Sequence, residues 1–551
     1  LKQAWLEGSR RARRPRGGRA QPMLNGVDAA AAGHHMQPVL SKTEAASLGF
    51  DTEPIEAAAG RLRAQVDAGK LPGFLSCVFK EGRLVHLQAY GLSDVCAGTP
   101  MSADTLFRLY SQTKPIMVTG FMRLLERGAV QLDDPVAKYI PAFGKVAVGD
   151  KRRPLSRPIA LRDLLAHTSG VGFGPGFGYE AENDYESTYV ELVARVDKGE
   201  IQSLADWCKS VAKLPLRFQP GKDWGYGYSS DILGRIVELA SGQPLDTFLR
   251  DEVIKPLGMS DTFFAVPSEK ASRLAALYNR IPWDGNAKNV QYVTLDAGGS
   301  GIIADQTKGV VAAVAGSGST YSTPQSSAFI QGNASHVIQG GGCVCSVAGG
   351  LVSTLHDYAR FSQMLLNEGE LDGVRLLQPE TVQLLARDWL NDYTVERRRQ
   401  PLWLWDKPGH GFSPLGEIGV DHPEAGQRRV VGSALHTVHW GGAGGSGYML
   451  NWPHKVLVLT YTGCAYDTAT QKTMWRAAFG ALRRGGAKPV RSLQDPVCAN
   501  EAPSETPMKK RPGRMEDNAL EESNYFWSPA SSTKEGSMSK RIRRSPASGQ
   551  K

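Results

Sequence analysis

Strand-like segments lie at both ends of the central part of this chain, and helix-like segments lie between them. Two apolar runs, Phe74–Phe79 and Leu84–Tyr90, are separated by a Lys-Glu-Gly turn. Two more runs follow much later in the chain, at 448–450 and 456–461. The pattern predicts an α/β (α+β) fold in which both ends of the central part form one antiparallel sheet. Helices flank this sheet, and a helical subdomain is inserted between its two halves.

Helical periodicity defines the segments between the strands. After Lys114, for example, Met117, Phe121 and Leu124 recur at the spacing of one helix face, and the pattern ends at Arg127. The same reasoning predicts a short helix after Asp133-Asp134-Pro135 and helices over 161–165, 229–241, 359–366, 379–386 and 469–482. Residues 309–356 contain no charged side chain and show no periodicity, so no element is predicted there.

The formal charge of +9 lies entirely at the two ends of the chain. Residues 1–45 carry a net +5 and residues 486–551 a net +4, which leaves the part between them neutral. A neutral body lacks the positive charge that binding to a phosphate backbone requires, so nucleic acid is not an expected partner of this body. We predict one folded domain over 46–486, with disordered basic segments at 1–45 and 487–551.

Other sequence features limit the compartment and the cofactors. No run of about 18 apolar residues is present, so no membrane span is expected. The seven cysteines lack framework spacing, which favours reduced thiols and a cytoplasmic protein. Six arginines within the first 20 residues make organellar targeting the alternative. Cys343 and Cys345 have no second Cys or His pair at zinc-like spacing, and neither a metal nor a cofactor is expected.

The sequence Ser-Gln-Thr-Lys at 111–114, which follows a strand-like run over 105–110, has the spacing of an activated serine. A helix is predicted to begin here, which places Ser111 near free backbone N–H groups and Lys114 one turn away on the same face. An amine in that position can take the proton of the serine and make it a nucleophile. The same spacing recurs twice in the polar tail, but only Ser111 precedes a helix with an apolar face. The pattern indicates a serine hydrolase or acyltransferase.

Two further motifs have the residue types to complete such a site. Gly225-Tyr226-Gly227-Tyr228-Ser229-Ser230 puts phenols on a loop before a helix, and a tyrosine beside an ammonium group can relay a proton. His439-Trp440-Gly441-Gly442 precedes a strand. Backbone N–H groups of small residues there can form an oxyanion hole with the N–H of Ser111.

Taken in chain order, these motifs resemble those of the serine β-lactamase-like family, which includes class C β-lactamases, DD-peptidases, esterases and acyltransferases. The resemblance covers roughly residues 50–485 and implies the β-lactamase/transpeptidase-like architecture. Besides the tyrosine and Trp-Gly-Gly segments, the matching segments are 107–115, 132–136, 164–170, 219–221, 256–262 and 348–354.

The resemblance also implies roles for individual residues. Ser111 is the expected nucleophile and Lys114 its proton acceptor. Tyr228 is expected to assist acylation and to activate the deacylating water, because the family tyrosine directly precedes a Ser-Asn or Ser-Ser step; Tyr226 is its rival. The N–H groups of Ser111 and Gly442 are expected to form the oxyanion hole.

The rest of the expected site follows from the same comparison of motifs. His439 is expected where the family often has the lysine of Lys-Thr-Gly, and Trp440 at the mouth of the site, followed by Gly441. His167 is expected to hold its turn by hydrogen bonds rather than to take part in catalysis.

Two departures from the family pattern favour esters over β-lactams. Ser230 stands where the Tyr-x-Asn motif has its amide, and His439 replaces a lysine that would bind a carboxylate. Trp440 resembles the Trp-Gly-Gly version found in the esterase and acyltransferase branch. The predicted partner is therefore a small-molecule ester or thioester, cleaved through an acyl-enzyme. β-Lactamase or D-alanyl peptidase activity and a non-catalytic scaffold or filament-forming role remain alternatives, and the sequence leaves the acyl donor and the oligomeric state open.

Overall fold

The structure is a computed structural model that describes residues 37–485, apart from 96, 174–187, 190, 193–194, 197–199, 283–289, 295–299, 306–309, 316–349, 393–409, 420–435 and 465–466. The predictions for 1–36, for 486–551 and for the Cys343 and Cys345 pair lie outside the described residues. Helix α1 (Lys42–Ser47) crosses the domain boundary predicted at residue 45.

Helices lie at or near every segment where periodicity predicts one, and further helices that were not predicted lie at Lys42–Ser47, Glu53–Asp67, Leu204–Val211 and Leu245–Leu249. The helices are α1, α2 (Glu53–Asp67), α3 (Thr113–Glu126), α4 (Val136–Tyr139), α5 (Leu161–Leu165), α6 (Leu204–Val211), α7 (Ser229–Ser241), α8 (Leu245–Leu249), α9 (Leu355–Leu366), α10 (Pro379–Leu385) and α11 (Thr468–Gly485). The part of the chain that the structure describes contains no helix long and apolar enough to cross a membrane.

Strands from both ends of the body form the main sheet. The strands are β1 (Gly73–Lys80), β2 (Arg83–Asp94), β3 (Thr99–Pro100), β4 (Phe107–Arg108), β5 (Tyr278–Pro282), β6 (Val290–Thr294), β7 (Ser300–Asp305), β8 (Val310–Ala315), β9 (Val352–Ser353), β10 (Glu370–Leu371), β11 (Val374–Arg375), β12 (His410–Ser413), β13 (Gly416–Gly419), β14 (Thr437–Gly442), β15 (Ser446–Asn451) and β16 (Val456–Tyr461). The sheet has eight strands in the order β12-β13-β14-β15-β16-β1-β2-β3. β1 and β16 pair antiparallel, with Leu75 opposite Tyr461, which confirms the predicted architecture.

The sheet carries a hydrophobic core on each face, which explains why β1 and β16 are continuous apolar runs rather than alternating ones. Along β16, Val456 and Val458 pack into the core beneath α2 and α11. The residues between and after them, Leu457 and Leu459, pack into the larger core that contains α3 and α7. Side chains of successive strand residues point to opposite faces, so every position of this strand is buried.

Two parts of the fold differ from the sequence-based expectation. The run 105–110, which looks like one strand, contributes only β4, and β4 pairs with the equally short β9. Strands β5 to β8 form a separate four-stranded antiparallel sheet that the sequence analysis did not predict. β8 lies in the uncharged segment that lacks a readable period, which explains why it was not recognised.

Candidate active site

Ser111 lies in a single 3₁₀ turn, Tyr110–Gln112, that runs directly into α3. The turn is fixed from both sides: the N–H of Leu109 donates to the carbonyl of Leu351 (2.8 Å), and the N–H of Leu351 donates to Thr113 Oγ1 (2.9 Å). Tyr110 has a φ of +47°, in the left-handed region that non-glycine residues rarely adopt. Ser111 is therefore presented by a tight turn before the helix, where the sequence predicted the helix itself to begin.

Two side chains contact the hydroxyl oxygen of Ser111. Lys114 Nζ lies 3.1 Å from Ser111 Oγ, as expected for a residue one turn further along. Tyr226 Oη lies 2.8 Å from the same oxygen, and its ring centroid is 4.8 Å from Lys114 Nζ. Lys114 is only 5% exposed, whereas Ser111 is half-buried and open to a substrate. A serine oxygen in contact with both an amine and a phenol can transfer its proton while it attacks a carbonyl.

Tyr228, the predicted catalytic tyrosine, lies elsewhere. Its ring stacks on Phe173 (4.7 Å between centroids) and on Tyr189 (5.6 Å), and it meets the edge of Trp207. Gly227 separates the two tyrosines in a position where any Cβ would overlap the carbonyl of Val171. The close approach directs Tyr226 to Ser111 and Tyr228 into the aromatic core. The geometry thus corrects the prediction: Tyr226 is the tyrosine next to the predicted nucleophile.

Strand β14 presents alternate residues to the two faces of the sheet. The ring of Trp440 lies 5.7 Å from that of Tyr226, on the face that carries Ser111. His439 lies on the other face, with its ring 4.7 Å from Trp475 of α11 and its Nε2 3.7 Å from Glu417 Oε1. The expected position of His439 in the substrate site is therefore corrected. Trp440, rather than His439, is the residue of β14 on the face that carries Ser111.

The two glycines that follow Trp440 also face opposite ways. A Cβ atom on Gly441 would lie 3.0 Å from Gln471 Oε1 of α11, behind the sheet. A Cβ atom on Gly442 would overlap the carbonyl oxygen of Leu109, two residues before Ser111. Ser446 Oγ donates to the same carbonyl (3.3 Å), which ties the β14–β15 hairpin to the nucleophile turn. Gly442 thus lies against the turn, where the predicted second donor of an oxyanion hole belongs.

We expect Gly442→Ala to lower both activity and stability, because the added methyl group must push β14 away from Leu109. Overpacking of this kind costs about 1–3 kcal/mol of stability. The melting temperature and the rate of ester hydrolysis measure the two effects. Gly60→Ala is the control, since a Cβ there meets only the end of a flexible Arg63 side chain at 3.5 Å in helix α2. An unchanged melting temperature and rate in Gly442→Ala would contradict the close approach.

Ser230 lies in the first turn of α7 and lines a cavity beside Lys114. The cavity has a few polar residues and a mainly apolar wall, formed by Lys114, Val118, Leu164, Leu165, His167, Ser230, Leu233, Phe412, Pro414, Leu415, Gly416 and Trp440. Ser230 is therefore near the predicted base, on the wall of the cavity. Its neighbour Ser229 bonds instead to Ser169 (2.9 Å between the two Oγ atoms).

One family model and several related proteins match most of this chain in sequence. The family model described as Beta-lactamase matches residues 58–483. Protein Rv1367c of Mycobacterium tuberculosis is 32% identical over 412 residues, which cover 73% of this chain and 87% of that protein. Esterase EstB of Burkholderia gladioli is 30% identical over 418 residues, which cover 74% of this chain and 91% of the esterase.

A similar fold is found among solved structures. The structure titled "EstCE1, a hydrolase with promiscuous acyltransferase activity" matches with a TM-score of 0.57 at 22% identity. The match covers 79% of this chain and all of EstCE1.

Proposed function

We propose that this chain, which belongs to the β-lactamase family and is a serine hydrolase, cleaves small esters or thioesters through an acyl-enzyme on Ser111. The observation that carries the proposal is the double contact at Ser111 Oγ, 3.1 Å to Lys114 Nζ and 2.8 Å to Tyr226 Oη. One neighbour can remove the serine proton while the other returns a proton to the leaving group.

Acylation begins when the neutral amine of Lys114 takes the proton of Ser111 and the serine oxygen attacks the acyl carbonyl. The carbonyl oxygen becomes an oxyanion, for which the N–H groups of Ser111 and Gly442 are the donors we propose. The tetrahedral intermediate then collapses. The bond to the alcohol or thiol breaks, and the leaving group receives a proton from the Lys114–Tyr226 pair.

Deacylation repeats the same steps with water as the nucleophile. If Tyr226 gave its proton to the leaving group, its phenolate accepts a proton from the water as the water attacks the acyl carbonyl; if Lys114 gave the proton, its neutral amine accepts it. The bond to Ser111 Oγ breaks and the serine recovers its proton. An alcohol that replaces the water gives acyl transfer to a new ester, so hydrolysis and acyl transfer need the same groups.

The chemistry of the site favours an uncharged acyl group. Trp440 lies on the face of β14 that carries Ser111, where a lysine could bind the carboxylate of a substrate. An indole cannot form the charge-assisted hydrogen bond that would bind a carboxylate. The name of Esterase EstB supports an ester as the substrate.

A comparison of substrates tests the proposal. We expect p-nitrophenyl acetate and butyrate to be turned over with a kcat/KM about 10- to 100-fold above that of a chromogenic cephalosporin or a D-alanyl-D-alanine peptide. This range corresponds to the free energy of one charge-assisted hydrogen bond, which the site cannot form with the carboxylate of those two substrates. The Ser111→Ala variant provides the blank for each substrate. A kcat/KM for the cephalosporin equal to or above those of the esters would overturn the proposal in favour of β-lactam hydrolysis.

A further inference from the structure

We infer that His167 is a positioning residue, whose ring, stacked on the phenol ring of Tyr226, holds Tyr226 Oη on Ser111 Oγ. The inference rests on the proposed function, because the position of Tyr226 affects turnover only if Ser111 reacts. It concerns a residue that the sequence analysis assigned only to holding its own turn.

The imidazole of His167 lies almost parallel to the phenol ring. The two ring centroids are 4.8 Å apart and the planes are inclined by 28°, an offset-stacked arrangement. Phe412 and Trp224 meet the imidazole at 5.4 and 6.2 Å in edge-on contacts, and the side chain is almost fully buried. The imidazole is therefore enclosed by aromatic rings, and the phenol ring cannot tilt toward it.

The backbone of His167 holds the same loop. Its carbonyl accepts a 2.8 Å hydrogen bond from the N–H of Gly225, the residue directly before Tyr226. His167 has a φ of +56°, in the left-handed region, so its carbonyl and its ring are both presented by a sharp turn after α5. Backbone and side chain of one residue thus fix both the start of the loop and the ring that it carries.

The imidazole is uncharged in this position. Burial lowers the pKa of His167 to about 3. Within the described part of the chain, His167 Nδ1 has no hydrogen-bond partner. The hydrogen bonds that hold the turn, as expected for His167, are therefore those of its backbone N–H and carbonyl groups. Leaving a buried ring nitrogen unpaired costs about 1–3 kcal/mol. The contacts that position the imidazole are its stacking on Tyr226 and its edge-on contacts with Phe412 and Trp224.

Two variants of His167 test the role of its ring separately from the role of its backbone. Asparagine tolerates a left-handed φ but has no ring, whereas phenylalanine keeps an aromatic ring on the phenol. We expect His167→Asn to lower kcat about 10- to 100-fold with little change in KM, the cost of a catalytic group displaced by roughly 1 Å. We expect His167→Phe to recover most of the kcat. The readouts are kcat and KM for p-nitrophenyl butyrate together with the melting temperature.

His436 is the matched control. It is a half-buried histidine with a φ of +57°, directly before β14, and it takes no part in the ring cluster around Tyr226. His436→Asn and His436→Phe should leave kcat unchanged. A wild-type kcat in folded His167→Asn would overturn the inference. So would a kcat in His167→Phe as low as that of His167→Asn at the melting temperature of the wild type.

A crystal structure of His167→Asn gives a readout that does not depend on turnover. We expect Tyr226 Oη to move beyond hydrogen-bond distance of Ser111 Oγ, from 2.8 Å. An unmoved phenol would overturn the inference even if the protein had no measurable activity. Conversely, a displaced phenol in an otherwise inactive protein, with no acyl-enzyme on wild-type Ser111, would overturn the proposed function and leave the inference standing.

Discussion

Ser111→Ala should abolish the turnover of p-nitrophenyl esters and the acyl adduct that mass spectrometry detects on the quenched wild-type enzyme. Ser111 Oγ is the atom that both Lys114 Nζ and Tyr226 Oη contact, so alanine removes the nucleophile and leaves an amine and a phenol with nothing to activate. Loss of a nucleophilic serine lowers kcat by about 10³-fold or more. The catalysis that remains comes from substrate binding and the oxyanion hole.

The chain provides its own matched control for this experiment. Ser531 and Ser537 each precede a lysine by three residues, as Ser111 does. Replacing both tail serines by alanine should leave the rate and the adduct unchanged. If Ser111→Ala retained the wild-type rate, Ser111 would be a structural residue of its turn and another nucleophile would have to be sought.

The second large effect distinguishes the two tyrosines of the same loop. Tyr226→Phe should lower kcat by about 10²- to 10⁴-fold, the range for loss of a general acid or base, because it removes the only phenol oxygen that contacts Ser111 among the described residues. Tyr228→Phe keeps the ring that packs on Phe173 and Tyr189, so kcat should stay within about threefold. Loss of the hydroxyl group should change mainly stability, by about 1 kcal/mol.

Each tyrosine variant is the control for the other, because they make the same chemical change two residues apart. Measured rates of acylation and deacylation with p-nitrophenyl butyrate would locate the defect in each step. A large loss in Tyr228→Phe with a wild-type rate in Tyr226→Phe would restore the sequence-based assignment and contradict the contact at Ser111.

The parts of the fold that depend on periodicity could be predicted from the sequence. Helices α5 and α7 begin and end at the predicted residues, and β16 has the predicted bounds. These segments have one apolar face or are buried throughout, so their pattern alone determines the element. Strand β8 was not predicted because its segment, 309–356, has no charged residue to mark an exposed face and no regular period.

The wrong predictions at the site are those for Tyr228 and His439, whose side chains point away from Ser111. Two signals in the sequence indicate these directions. Tyr228 precedes Ile232 by four residues and Ile236 by eight, so it lies on the buried face of α7. Trp440 precedes Gly442 by two residues, so the two share a face of β14, and His439 must point the other way. Spacing within a motif therefore does not determine which side chain faces the site, because neighbouring strand residues point to opposite faces of the sheet.

The pairing of β1 with β16 has a consequence for synthesis of the enzyme. Ser111 leaves the ribosome long before Gly442, and the strand that carries Gly442 joins the sheet through β15 and β16. Contacts between such distant segments are costly to close and form late in folding. A nascent chain that already carries Ser111 therefore lacks the strand with the proposed second oxyanion donor, and we expect that cellular esters cannot acylate it before its final strands have been translated.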